Sequence, residues 1–207
     1  FTGFAIATGD AVAFHHAVQN SVQGIGRPQF DNTALYGSAG KLLGYIDMAA
    51  LANYETDSLD GEFDFTLQVF AHEFMHQFGV FVHYKKPDGT LSASLLGRDK
   101  AHWSYLLNSD ASLMYGSRWR DNADGSFTAT AIREIYSPLD LYLMGLLPPE
   151  EVPPFFLIDA PAVDATKLPE LNATVTGTRR EILVEDVIAA EGARVPAAAD
   201  AQKDFRL

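Results

Sequence analysis

Residues 71–84 read AHEFMHQFGVFVHY, and how this stretch is understood decides the rest of the chain. His72, Glu73 and His76 form the pattern HExxH. On a helix, side chains four residues apart share a face. The two imidazoles are therefore placed to hold one metal ion about 2.0–2.1 Å from each nitrogen. Glu73 follows the first histidine and projects beside such an ion, where a carboxylate can take a proton from water and pass it to a leaving amine. The competing reading is a helix with two ordinary histidines at its polar edge. A purely structural zinc site has no use for the intervening glutamate and usually closes with four protein ligands. Catalysis is the stronger reading.

Working outward, Leu67, Phe70, Ala71, Phe74 and Phe78 recur at three- and four-residue spacing, which predicts a helix with these residues as its core-facing stripe. Asp64 or Thr66 is placed to cap its start, and Gly79 to end it by taking φ > 0. Beyond Gly79, the segment 80–96 (VFVHYKKPDGTLSASLL) predicts a hairpin with PDGT as its turn.

A zinc hydrolase needs a third protein ligand, and His83 and His102 are the candidates. A hairpin inserted after Gly79 returns the chain near its starting point and delivers His102 to the metal, so His102 is favoured. His83 is then an exposed or cross-strand residue beside Tyr84. His15 and His16 read as structural, pointing to opposite faces if residues 11–26 form a strand. Helix and strand both remain open for that stretch.

HExxHxxG followed by SLMYG (residues 112–116) resembles the metzincin clan of zinc endopeptidases, and SLMYG is most similar to the Met-turn of the matrixins. The resemblance covers only the helix-to-SLMYG portion. It implies Zn2+ bound by His72, His76 and a third histidine, with Met114 as the floor of the site. The usual clan spacing would place the third ligand at Val82, so this chain departs from the pattern. His83 falls one residue late, on the opposite side of an extended segment unless a bulge intervenes. Metzincins with an insertion before the third histidine are known as a type, which suits His102. Tyr115 is the candidate donor to the oxyanion of the tetrahedral intermediate. In the related gluzincin pattern a downstream glutamate completes the site, and Glu134 is the candidate there.

The resulting expectation is an α+β, metzincin-like fold, with a twisted mixed sheet packed on the HExxH helix and a smaller C-terminal subdomain. Residues 1–173 would form the catalytic domain and 174–207 a short extension. The expected activity is zinc-dependent endopeptidase hydrolysis of peptide bonds by a Glu-assisted, zinc-bound water. Two alternatives are a catalytically inactive surface or binding module that keeps the helix, and a zinc hydrolase of a non-peptide amide or ester.

Composition narrows the partners. With 207 residues and no cysteine, the chain is long enough for a real core, and any metal must be held by histidine and carboxylate. A net charge of −12 without a basic stripe argues against nucleic acid. No apolar run reaches the roughly 20 residues of a membrane helix. A peptide or protein substrate is the partner expected; oligomeric state is not legible. The chain begins at Phe1 without a signal-peptide pattern and reads as a processed or excised piece. Residues 136–156 (YSPLDLYLMGLLPPEEVPPFF) resemble stretches of bacterial exported metallopeptidases, which implies secretion.

Further elements follow from local chemistry. Ser137, Pro138, Asp140 and Gly145 read as N-cap, N1, N3 and stop of a helix. Residues 121–126 (DNADGS) predict a turn into a strand. LLPPEEVPPFF is Pro-rich and expected to wrap the surface in extended form. From Thr174 onward a strand or two and a short helix are expected.

Overall fold

The computed structural model describes residues 13–205. Ala11 and Val12, and the end at Arg206 and Leu207, lie outside the described residues. The described residues form two compact units: 13–21 together with Gln29–Gln77, and Val22–Pro28 together with 78–205. The fold is α+β.

In the first unit, β1 (Phe14–Ala17), β2 (Gln19–Asn20), β3 (Phe30–Asp31) and β4 (Gly44–Asp47) precede the helix α1 (Phe63–Met75). β1 pairs antiparallel with β4, and β2 with β3. The ambiguous 11–26 stretch is thus strand at residues 14–17 and 19–20 and bends at Gly24 and Gly26, both at positive φ. His16 stacks its ring on its cross-strand partner Tyr45, with centroids 4.6 Å apart, and alternation turns His15 to the other face.

α1 departs from expectation in three respects. Its buried residues are Val69, Glu73 and Met75, while Leu67 is 50% exposed and Phe70, Ala71 and Phe74 are half-buried. Apolar residues fall on two arcs of this helix, Leu67, Phe70 and Phe74 on one and Phe65 and Val69 on another, so periodicity fixes its existence but not the inward arc. The inward arc is the one carrying Val69, which packs with Ala13, Tyr54 and Met48. Neither expected cap acts: the residue before the helix is Glu62, without a side-chain cap, and the Thr66 hydroxyl donates to the Glu55 carbonyl at 2.8 Å. Finally, the helix stops at Met75 with His76 as C-cap, and Gly79 is not among the positive-φ glycines.

The second unit begins with the hairpin β5 (Tyr84–Lys85) and β6 (Leu91–Ser92), closed through a turn with Gly89 at φ +84° as PDGT predicts. There follow β7 (Leu107–Asn108), β8 (Ser117–Asp121), β9 (Ser126–Ile132), α2 (Pro138–Met144), β10 (Phe155–Asp159), β11 (Thr174–Thr176), β12 (Thr178–Ile182) and α3 (Val184–Glu191). A mixed six-stranded sheet runs β11-β9-β8-β7-β10-β12, antiparallel except between β7 and β8. Its core includes Trp103, Leu107, Phe127, Leu143 and Ile158, each at most 2% exposed.

The expectation of one sheet packed on the HExxH helix is therefore divided. α1 lies against β1 and β4 of its own unit, and the large sheet belongs to the other. The boundary expected at 173/174 falls inside the second unit, where β11 and β12 form the two outer strands of that sheet. A second correction concerns LLPPEEVPPFF. Its last two residues open β10, a strand paired on both sides whose Phe155–Ile158 portion is buried. Proline is tolerated just before a strand, and the four-residue apolar run FFLI is the signature of a strand covered on both faces. The α2 capping reading holds in full: the Ser137 hydroxyl accepts from the Asp140 N–H at 3.1 Å, the Asp140 carboxylate accepts from the Ser137 N–H at 2.7 Å, and Gly145 ends the helix at φ +79°.

Candidate metal centre

His72 lies in the last turn of α1 and His76 at its C-cap, their ring centroids 5.0 Å apart and nearly perpendicular. The ligand atoms of His72, His76 and His102 all lie within 4.8 Å of one another. Tetrahedral bonds of 2.0–2.1 Å would need nitrogen separations of about 3.4 Å, a distance within that bound. Three imidazoles and no thiol form a donor set compatible with a metal ion, zinc, copper, iron and nickel all accepting imidazole.

His102 is buried and held in a stated tautomer. Its Nδ1 lies 3.1 Å from the Arg98 carbonyl oxygen. A carbonyl only accepts, so Nδ1 carries the proton and Nε2 presents the lone pair that a metal requires. The ring stacks on Tyr115, centroids 4.3 Å apart and 17° from parallel. Tyr115 takes φ +61°, and the next residue, Gly116, has no room for a side chain: a Cβ would stand 2.0 Å from Ser109 Oγ. The fully buried Met114 belongs to this same tight loop, and its carbonyl accepts from the Trp103 N–H at 3.0 Å. One backbone bond thus registers the SLMYG loop against the residue after His102.

Asp140 fixes that loop from behind, a role beyond the capping expected of SPLD. It is fully buried and accepts from Trp103 Nε1 at 2.8 Å and from Ser112 Oγ at 2.6 Å, besides the Ser137 N–H. Burial pushes its carboxyl up while these donors pull it down.

Glu73 is 8% exposed. Burial raises its carboxyl to about 7, opposed by a hydrogen bond from the His15 backbone N–H. The consequence for metal-free protein has a definite sign. A carboxyl at about 7 folded and 4.5 unfolded contributes stability that is whole below pH 4.5 and lost as pH rises through 7. Glu73→Gln should remove a pH-dependent difference of about 2–3 kcal/mol between pH 4.5 and 8. Urea denaturation of metal-stripped wild type and variant across that range checks it.

The remaining predicted residues are elsewhere. His83 Nδ1 lies 2.9 Å from Glu191 Oε1, and its backbone N–H donates to the same oxygen. Glu134 is exposed and 3.6 Å from the Arg118 guanidinium. Neither belongs to the three-histidine group. Tyr142 accepts from the Arg194 N–H and is buried. Residues 121–126 form a turn in which Asp124 accepts from Ser126. No helix among the described residues is long and apolar enough to cross a membrane.

Comparison of the chain with protein-family models, with curated proteins and with solved structures finds no match in any of the three. The functional reading stands on the chemistry of the site.

Proposed function

We propose that this chain is a zinc-dependent endopeptidase of metzincin-like construction, acting outside the cell on peptide or protein substrates. The observation that carries the reading is the convergence of His102 with the two helical histidines, next to a buried glutamate that metal binding does not require. His72, His76 and His102 would hold the ion. When bound, zinc lowers the pKa of a water and polarises a carbonyl.

The protein's own groups supply the rest. Glu73 accepts a proton from the attacking water on a carboxylate oxygen and returns it to the leaving amine nitrogen. The His15 N–H holds that carboxylate in place. Arg98 and Tyr115 fix the His102 ring, one through Nδ1 and one by stacking. Donation from the Tyr115 hydroxyl to the oxyanion belongs to the same proposal.

The test is zinc binding by competition with a chromophoric chelator. The wild type should take up one equivalent. His102→Ala should weaken binding by at least about 100-fold, beyond the 10–100-fold typical of outer-shell changes, and His83→Ala should leave it unchanged. A His102→Ala protein that binds as well as wild type would remove the site. Assay of the zinc-loaded chain on mixed peptides and on non-peptide amides and esters then separates a peptidase from another hydrolase, or from an inactive module.

A further inference from the structure

The second unit contains a cavity of about 330 Å3, lined by the β5–β6 hairpin, the end of β10 and the loop after it, and Arg180 of β12. Its volume reaches the lower range of small-molecule sites. Nothing in the proposed hydrolysis uses it.

The lining has two characters. Leu106, Leu157, Ile158 and Val163 give an apolar part. The lining also carries a hydroxyl chain: Tyr84 Oη is 3.3 Å from Ser94 Oγ, which is 3.0 Å from Ser92 Oγ. Tyr84 is 2% exposed and anchors one end of this polar edge in the fold, while Ser94 at the other end is exposed. The charged lining groups are Lys86, Arg180 and Asp159. Arg180 donates to Asp159 and to Tyr84, yet a guanidinium carries five N–H donors. The Lys86 ammonium has no salt-bridge partner among the described residues. Asp88, outside the lining, acts electrostatically on both cations.

Lys86 and Arg180 stand with Asp159 in the lining and Asp88 just outside it, so the polar end offers unspent N–H donors and no large positive excess. A monoanion can use those donors with the least repulsion from the two carboxylates, whereas a phosphate dianion would double it. The planar guanidinium suits a carboxylate, and the apolar part needs a hydrocarbon body.

We infer that this cavity binds a small aliphatic monocarboxylate, its carboxylate on Arg180 and Lys86 and its body against Leu106, Leu157 and Val163. Either a free short-chain acid or the C-terminal residue of a peptide carries this chemistry. The inference is independent of the metal centre, and its test reads the two sites separately. Isovalerate, N-acetyl-glycyl-leucine and N-acetyl-glycyl-leucinamide are titrated into the isotope-labelled full chain, with backbone amide shifts followed at Ser94, Leu106 and Ala165.

Saturable shifts there with at least one of the two acids, and at least tenfold weaker binding of the amide, are the expected result. The tighter of the two acids identifies the source. Arg180→Gln and Lys86→Gln, both at partly exposed side chains, should each weaken the acid at least tenfold with the remaining spectrum intact. Equal binding of the dipeptide acid and amide, no saturable shift with either acid, or unaltered binding by both variants would overturn the assignment.

Discussion

Glu73→Gln is expected to lower kcat/KM for a peptide substrate by about 10²–10⁴-fold, the usual contribution of a positioned acid–base group, with zinc stoichiometry unchanged. Glutamine keeps the volume and can still accept the His15 N–H, so packing around Val69 and Tyr54 should persist. It cannot take up a proton at neutral pH. Separation of binding from turnover is therefore the diagnostic result: one zinc per chain in both proteins, activity in one. Full activity in a zinc-loaded Glu73→Gln protein would place the base elsewhere. The rise of the Glu73 carboxyl to about 7 by burial belongs to metal-free protein. A cation beside the carboxylate favours its ionised form, so zinc uptake near pH 7 should also release a proton from Glu73.

What the sequence disclosed about this site depended on how local each signal was. HExxH requires only one helical turn, and His72, Glu73 and His76 could be read from spacing alone. His102 was reachable because PDGT announces a hairpin, and a hairpin brings the chain back; the structure forms that hairpin. The capping box at Ser137 and Asp140 is likewise local, a pattern of four residues. By contrast, the inward arc of α1 depends on what packs against it. The expected stripe through Leu67 failed because Val69 and Glu73 face the unit's small core instead. The partition of the strands into separate sheets also depends on long-range pairing, and no local pattern encodes it. Nor does any pattern announce that Asp140 reaches Trp103 and Ser112, 37 and 28 residues away. A carboxylate at N3 between Leu139 and Leu141 was a usable hint, since an acidic residue inside an apolar helix must find donors.

Asp140→Ala should be the most destabilising single change near the site, by about 3–5 kcal/mol, as expected when one partner of a buried charged network is removed. Three donors would lose their acceptor together: Trp103 Nε1, Ser112 Oγ and the Ser137 N–H. Asp140→Asn is a sharper test. Its amide keeps one acceptor oxygen but turns an NH2 group towards a donor, and the Ser137 N–H and the Trp103 indole cannot reverse their roles. A loss of about 1–3 kcal/mol is expected from the unsatisfied group. Asp186 supplies the control, because it occupies the same N3 position in α3, where its carboxylate accepts the Leu183 N–H at an exposed site. Asp186→Ala should cost no more than about 1 kcal/mol. If the two alanine variants cost the same in urea denaturation, Asp140 acts only as a cap. If Asp140→Ala costs far more and also weakens zinc binding where the protein remains folded, the carboxylate holds Trp103, and through its N–H the Met114 loop, in register with His102.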